Sequence, residues 1–132
     1  MTASAVPPRE NKDFFMIDIY GIPTCGSVKK GIAWFREQNV ETVFHNFRKE
    51  GLAAEVLDSW LARVPADVLL NRKGLLWRKV DEETRLRVKD NPQGMRELML
   101  AEPGLIKRPV VVFPDGTVTV GVSEALWAEQ VG

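Results

Sequence analysis

The fold of this chain is decided by residues 20–30, which read YGIPTCGSVKK and contain Cys25, the single cysteine of the sequence. An apolar run, residues 16–20, precedes this stretch, and an amphipathic run, residues 27–39, follows it. This order is typical of a strand, a tight turn and a helix, with the thiol at the helix N-terminus. The unpaired backbone N–H groups and the positive dipole end of such a terminus favour thiolate over thiol. We therefore expect Cys25 to be the catalytic residue.

The composition of the 132-residue chain fits one domain and excludes several classes of protein. No apolar run approaches the ~20 residues that span a bilayer, so we expect no membrane association. The 18 basic and 18 acidic residues cancel, which argues against nucleic-acid binding. Because a lone cysteine cannot form an internal disulfide, nothing demands an oxidising compartment, and we expect a cytoplasmic protein.

His45 is the single histidine, and it is a candidate for a metal ligand and for a catalytic base. One cysteine and one histidine cannot complete a tetrahedral zinc site, so we expect no metal. His45 also falls in the middle of a predicted strand, away from the turn that holds Cys25. Since a thiolate at a helix end needs no separate base, we do not expect His45 to act as one.

The pattern on either side of the cysteine predicts two β-containing halves. Residues 16–20, 27–39 and 41–47 read as strand, helix and strand, a unit that pairs its strands in parallel through a right-handed crossover. Residues 110–120 read as a β-hairpin around the turn signal Pro-Asp-Gly at 114–116. A helix over 124–130 follows it and is expected to bury Leu126 and Trp127.

Between these halves the sequence carries helical patterns only, so residues 52–104 read as an all-helical insert. The predicted helical segments are 52–64, 66–70, 82–89 and 92–101, with Asp81 and Asn91 as N-caps and with residues 75–77 returning to apolar contacts. We therefore predict an α/β, thioredoxin-like fold: a four-stranded mixed sheet with the insert between its βαβ and ββα halves. The single domain covers residues 16–132, and residues 1–15 read as a flexible N-terminal leader.

Several motifs resemble the ArsC-like branch of the thioredoxin fold, which includes arsenate reductases, Spx and the YffB-like proteins. The matching pieces occur in the family's order and spacing over residues 16–130. They are IYGIPTC (19–25), LLNRKG (69–74), WRK (77–79), LIKRP (105–109) and VGVSE (120–124). The likeness is greatest to YffB-like proteins, and it implies glutathione-dependent thiol reduction.

The resemblance also implies that Arg108 and Pro109 form the other half of the site, with a cis peptide between them opposite Cys25. Arg108 would add positive charge beside the thiolate and hold a substrate carboxylate. The backbone of this loop would pair with an extended peptide such as glutathione. The family's insert arginine falls at Lys73, with Arg72 one step earlier, and both are candidates for substrate binding. A lysine supplies charge there but not the fork of a guanidinium.

Two departures from the family pattern shape the functional hypotheses. Val28 replaces the second cysteine of the Cys-x-x-Cys found in Spx-type proteins, which excludes a two-cysteine redox switch. Gly121 occupies the position of the third arginine that arsenate reductases place around their cysteine, which argues against arsenate reduction.

The resemblance therefore implies a monothiol, glutathione-dependent thiol/disulfide oxidoreductase. The Cys25 thiolate would form a mixed disulfide that an external thiol resolves, with glutathione as co-substrate and no bound cofactor. Glutaredoxin or a protein disulfide is a further expected partner, and we expect a monomer. Two alternatives stay open: a glutaredoxin-coupled arsenate reductase, and a non-enzymatic, Spx-like regulator that binds a protein through the basic face of the insert.

Overall fold

A computed structural model describes residues 16–131, and the predicted leader, residues 1–15, lies outside them. The strands are β1 (Ile17–Gly21), β2 (Thr42–Asn46), β3 (Val110–Val112) and β4 (Val118–Val120). The helices are α1 (Gly26–Glu37), α2 (Phe47–Glu50), α3 (Ala54–Leu61), α4 (Ala66–Leu69), α5 (Leu75–Lys79), α6 (Glu82–Val88), α7 (Pro92–Ala101) and α8 (Glu124–Val131), and a 3₁₀ turn covers Pro103–Leu105. In this part of the chain no helix has the length and apolar character to cross a membrane.

The four strands form one mixed sheet in the order β2-β1-β3-β4. β1 and β2 run parallel, with Tyr20 opposite His45, as a crossover through α1 requires. β3 is antiparallel to both β1 and β4. The predicted α/β, thioredoxin-like architecture with a mixed four-stranded sheet is confirmed.

Side-chain alternation along the strands gives the sheet two apolar faces. On one face, Ile19 packs with Phe35 of α1 and Trp127 of α8. On the other face, Tyr20 packs against Trp60 of α3, with ring centroids 4.9 Å apart. Because β1 is buried on both faces, its carboxyl end is held firmly, and the turn that carries Cys25 begins there.

Backbone hydrogen bonds join the insert to the segment that leads into β3. The N–H groups of Asn71 and Lys107 donate to the carbonyls of Leu105 and Leu69, each over 2.8 Å. An isolated antiparallel bridge lies between these two bonds. The segment that leads to the predicted cis-proline is therefore tied directly to the insert.

The two predicted helix caps of the insert are confirmed. The Asp81 carboxylate accepts a hydrogen bond from the Thr84 N–H (3.2 Å) at the start of α6. The Asn91 side-chain oxygen accepts one from the Gly94 N–H (3.1 Å) at the start of α7, with Pro92 as the first helical residue. Each cap satisfies a backbone donor that the helix itself leaves unpaired.

The second strand is shorter than the predicted range 41–47, because residues 47–50 form α2. The Asn46 side chain caps this helix by accepting hydrogen bonds from the N–H groups of Arg48 (3.2 Å) and Lys49 (3.1 Å). An asparagine at the end of a strand can begin a helix in this way, and side-chain alternation does not reveal it.

Two of the apolar contacts expected from the sequence are wrong. Leu126 is 50% exposed, whereas Trp127 on the same helix is fully buried as predicted. Residues 75–77 begin α5 and do not all return to the core: Trp77 packs against it, but Leu75 is 72% exposed. Successive residues of a helix point in different directions, so a run of apolar letters cannot be buried as a block.

Candidate functional site

Cys25 lies in the turn between β1 and α1, as the N-cap residue of the helix. Its N–H donates to the Ile22 carbonyl (3.2 Å), and its carbonyl accepts from the Lys29 N–H (3.0 Å), which begins the helical ladder. The backbone of Cys25 is extended (φ −78°, ψ 124°), and the residue is half-buried. A thiol therefore occupies the position from which a side-chain oxygen would normally cap the helix.

The pKa of the Cys25 thiol is lower than its ordinary value. Partial burial of the thiol is the largest influence and acts in the opposite direction, because it raises the pKa. The N–H of Val28, the Arg108 side chain and the N–H of Ser27 outweigh it by hydrogen-bonding the thiolate, and the positive charge of Arg108 adds to them. Since the thiolate is the nucleophilic form, Cys25 is an activated cysteine.

Arg108 is the second member of the site, brought to Cys25 from 83 positions along the chain. Its Nη1 donates to the Gly104 carbonyl over 2.9 Å, so the guanidinium is held in place by the 3₁₀ turn. Its Nε is buried and has no hydrogen-bond partner among residues 16–131. The guanidinium therefore stabilises the thiolate and still has an unused donor.

Pro109 follows Arg108 through a cis peptide bond, as the family resemblance implies. It is buried, and its ring lies against α1: a Cβ on Gly31 would be 3.5 Å from Pro109 Cγ. Its carbonyl accepts a hydrogen bond from the Gly121 N–H (2.9 Å). Arg108 and Pro109 therefore join the helix that begins at Cys25 to the edge of β4.

The structure does not bring Arg72 and Lys73 to the thiol. Arg72 Nη2 lies 3.7 Å from Met95 Sδ in a groove between helices of the insert. The Lys73 side chain is exposed, and its backbone N–H donates to the Asn71 side chain over 3.0 Å. Neither residue is among the groups that shift the pKa of Cys25. Their part in substrate binding stays a prediction.

His45 makes contacts of a different kind, within the sheet. Its Nε2 lies 2.9 Å from Asp18 Oδ1, and its ring stacks on Tyr20 with centroids 4.4 Å apart. Asp18 is 2% exposed, so the pair links β1 to β2 inside the protein. His45 is not among the groups that act on the pKa of Cys25. An aspartate within an apolar strand run was the sequence signal for this pair.

Positions 28 and 121 show why this site differs from the family pattern. Val28, near the start of α1, is fully buried, and a Cβ on Gly21 would lie 2.5 Å from Val28 Cγ2. Gly121 has φ +80°, which favours glycine, and no atom of residues 16–131 beyond its chain neighbours lies within 4 Å of where its Cβ would be. Position 28 therefore holds an apolar side chain packed in the core, and position 121 brings neither a side chain nor a charge to the site.

The carbonyl of Gly104 is a site component that the sequence analysis missed. It receives the Arg108 guanidinium, yet a glycine in the run Pro-Gly-Leu at 103–105 reads only as a turn signal. Every residue has a backbone carbonyl, so no sequence pattern could have shown that this one accepts a hydrogen bond from Arg108. Among residues 16–131 there is no group of three or more metal-binding side chains.

Comparison with known proteins identifies the family and the fold that this chain shares. The ArsC family model matches residues 20–130. The solved structure of a YffB protein has a TM-score of 0.81 and 33% identity, and covers 89% of this chain and 100% of that chain. An uncharacterised protein of Haemophilus influenzae is 37% identical over 111 residues, which are 83% of this chain and 93% of that protein. The global transcriptional regulator Spx of Bacillus subtilis is 26% identical over 100 residues, covering 74% of this chain and 73% of Spx.

Proposed function

The chain belongs to the ArsC family and has its thioredoxin-like fold, and on this premise we propose that it is a monothiol, glutathione-dependent thiol/disulfide oxidoreductase. One observation carries the proposal: Cys25 is a half-buried thiol of lowered pKa at a helix N-terminus, with Arg108 beside it. Such a thiolate is both stabilised and accessible, which distinguishes a reactive cysteine from a structural one.

The loop at the cis-proline supports an extended peptide thiol as the co-substrate. Within residues 16–131 the N–H and carbonyl of Arg108 take part in no backbone–backbone hydrogen bond. They are free to pair with the backbone of a peptide such as glutathione, as a sheet edge pairs with an added strand. The positive charge of the Arg108 guanidinium beside the thiol would attract a carboxylate of the same molecule.

The proposed cycle has two exchange steps. The Cys25 thiolate attacks the glutathione sulfur of a mixed disulfide; the Cys25–glutathione bond forms, the original S–S bond breaks, and the substrate leaves as a thiolate that takes a proton from water. A second glutathione thiolate then attacks the glutathione sulfur of the Cys25 adduct. Oxidised glutathione leaves and the Cys25 thiolate is restored. Because position 28 is valine, this second thiol must come from outside the chain.

Mass spectrometry after incubation with oxidised glutathione tests the proposal. We expect one glutathione per chain, attached at Cys25, which reduced glutathione removes. The Cys25→Ser variant is the control and should gain no adduct. Turnover of a glutathione mixed disulfide should rise with glutathione concentration. A protein that forms no adduct and has the thiol pKa of a free cysteine, ~8.5, would contradict the proposed activity.

We extend the proposal to the location, oligomeric state and partners of the enzyme. It acts as a cytoplasmic monomer without a bound cofactor or metal, and Arg72 and Lys73 bind the far end of a substrate. Glutaredoxin or a protein disulfide is its macromolecular partner. Charge-neutral substitution of Arg72 and of Lys73 would test their part, because a binding role predicts a higher KM with little change in kcat.

Glutaredoxin-coupled arsenate reduction is the second candidate, favoured by the match to the ArsC family model. It needs an oxyanion held beside Cys25, and Arg108 supplies one of the positive charges for it. Gly121 supplies none, although the space next to it is open. An arsenate-dependent assay with glutathione and glutaredoxin both present decides this candidate, and no turnover above background would remove it.

A Spx-like, non-enzymatic role is the third candidate, and the relative that favours it is Spx itself at 26% identity. It predicts that the cellular phenotype survives Cys25→Ser and is lost when Arg85 and Arg87 of α6 are reversed in charge. The oxidoreductase proposal predicts the opposite pair of results.

A further inference from the structure

We propose that residues 72–79 form a docking surface for an acidic protein partner whose sulfur reacts at Cys25. We call these residues the α5 strip, since α5 (Leu75–Lys79) makes up most of them. The inference rests on the proposed function and deepens it by naming the class of protein substrate.

The α5 strip carries a concentrated positive charge in a chain whose formal net charge is zero. It contains four basic residues and no acidic one: Arg72, Lys73, Arg78 and Lys79. All four are exposed, and within residues 16–131 none of Lys73, Arg78 and Lys79 forms an ion pair. Three acidic residues, Asp81, Glu82 and Glu83, follow the strip closely, and the Glu102 carboxylate would lie 3.4 Å from a Cβ on Gly104. Residues 72–89 as a whole contain seven basic residues against those three acidic ones, so this part of the insert keeps an excess of positive charge.

The same strip exposes apolar area at its centre. Leu75 is 72% exposed and Leu76 is 38% exposed, between the basic pairs at 72–73 and 78–79. Glutathione is polar along its length and has no apolar group to cover two leucines. An apolar centre with a charged rim is instead the anatomy of a protein–protein contact. The sign of the rim selects a partner with acidic residues around its own apolar contact.

A short series of contacts connects the strip to the thiol. Leu76 packs on Gly104, because a Cβ there would lie 2.5 Å from Leu76 Cδ1. The Gly104 carbonyl holds the Arg108 guanidinium over 2.9 Å, and Arg108 acts on the Cys25 thiol. The strip is therefore linked to the thiol through Gly104 and Arg108. In the proposed complex the partner's acidic residues bind the strip and its sulfur extends to Cys25.

Electrostatic docking of this kind raises the rate of encounter, so the test compares two peptide substrates that differ only in charge, with a small neutral substrate as reference. Three glutathione mixed disulfides are used: a peptide with glutamates around its cysteine, the same peptide with lysines, and the small neutral thiol 2-mercaptoethanol. We expect kcat/KM to be about tenfold higher for the acidic peptide than for the basic one at low ionic strength. The difference should largely disappear in ~1 M salt, where screening extends over only ~3 Å.

Charge-reversal variants test whether the α5 strip causes the preference for the acidic peptide. The double variant Arg78→Glu, Lys79→Glu should lose the preference for the acidic peptide and keep its turnover of the 2-mercaptoethanol disulfide. The matched control is Arg48→Glu, Lys49→Glu, which changes the same residue pair in the last turn of the short helix α2 and should keep the preference. Equal kcat/KM for the two peptides, or an equal loss in both double variants, would overturn the proposal.

A binding experiment separates this inference from the proposed function. The Cys25→Ser protein, which cannot react, is titrated with the acidic peptide without glutathione, and amide shifts are followed by NMR. Shifts concentrated at residues 72–79 support the docking surface even if no disulfide is turned over. Turnover of the small disulfide with no shifts at residues 72–79 would refute the docking surface and leave the oxidoreductase activity standing.

Discussion

Replacing Arg108 by methionine tests the physical basis of the site most directly. The substitution keeps an unbranched side chain, though a shorter one, and removes both the hydrogen bond and the charge that Arg108 directs at Cys25. The N–H groups of Val28 and Ser27 remain, so the thiol stays partly activated. A nearby opposite charge favours the thiolate, so we expect the pKa of Cys25 to rise when Arg108 is removed.

A rise in the pKa has opposite consequences at low and high pH. For each unit of such a rise, the thiolate fraction below both pKa values falls about tenfold, while the more basic thiolate becomes about threefold more reactive, since the Brønsted coefficient is ~0.4–0.5. Exchange with a disulfide is then about threefold slower in the variant. Above both pKa values every thiol is ionised, and the variant reacts about threefold faster. The two pH–rate profiles should therefore cross.

The assay is the pH dependence of exchange between Cys25 and a small neutral disulfide, which needs no charged binding group. Arg48→Met, which removes an exposed arginine from α2, is the control and should reproduce the wild-type profile. Circular dichroism checks that the Arg108→Met protein is folded. A folded variant whose profile superimposes on that of the wild type would show that Arg108 does not stabilise the thiolate.

Three further predictions concern the turn and the thiol. The pKa of Cys25 is lowered in the folded state, so its contribution to stability is complete above the unfolded value of ~8.5 and is lost as pH falls through the folded value. Urea titrations should thus show the stability difference between wild type and Cys25→Ser growing with pH; a constant difference would contradict the lowered pKa. Val28→Cys should give, on mild oxidation, a disulfide with Cys25 seen as the loss of two hydrogens, and a glutathione adduct in its place would count against this. Gly21→Ala should destabilise the fold by about 1 to 3 kcal/mol in denaturation, because its Cβ meets Val28, and Val28→Ala should restore part of the loss.

Much of the fold could be predicted from the sequence because its strands are short, apolar and bounded by turn residues. The pattern around Cys25 predicted a strand, turn and helix, and the structure has them at Ile17–Gly21 and Gly26–Glu37. The hairpin and the caps at Asp81 and Asn91 could be predicted equally well, because each depends on residues close together in the chain. Interactions between neighbours in sequence were sufficient to predict these elements.

The predictions failed where one local sequence pattern is compatible with two different structures. Residue 47 continued the alternation of a strand, yet the Asn46 side chain began a helix there. Leu75 and Leu126 had the composition of core residues and are exposed. Whether an apolar side chain is buried depends on what its helix packs against, and that information is not local.

By itself the sequence determined where the candidate nucleophile is. A lone cysteine between a strand and a helix lies at the helix N-terminus, where the helix dipole favours the thiolate. Only the tertiary structure decided what surrounds it. Pairing of β1 with β3 brings Arg108 to the thiol, and the Gly104 carbonyl holds it there, whereas Arg72 is directed at Met95. The site of residues 20–30 thus acquires its second half from a segment more than 80 positions away, and only folding makes the two neighbours.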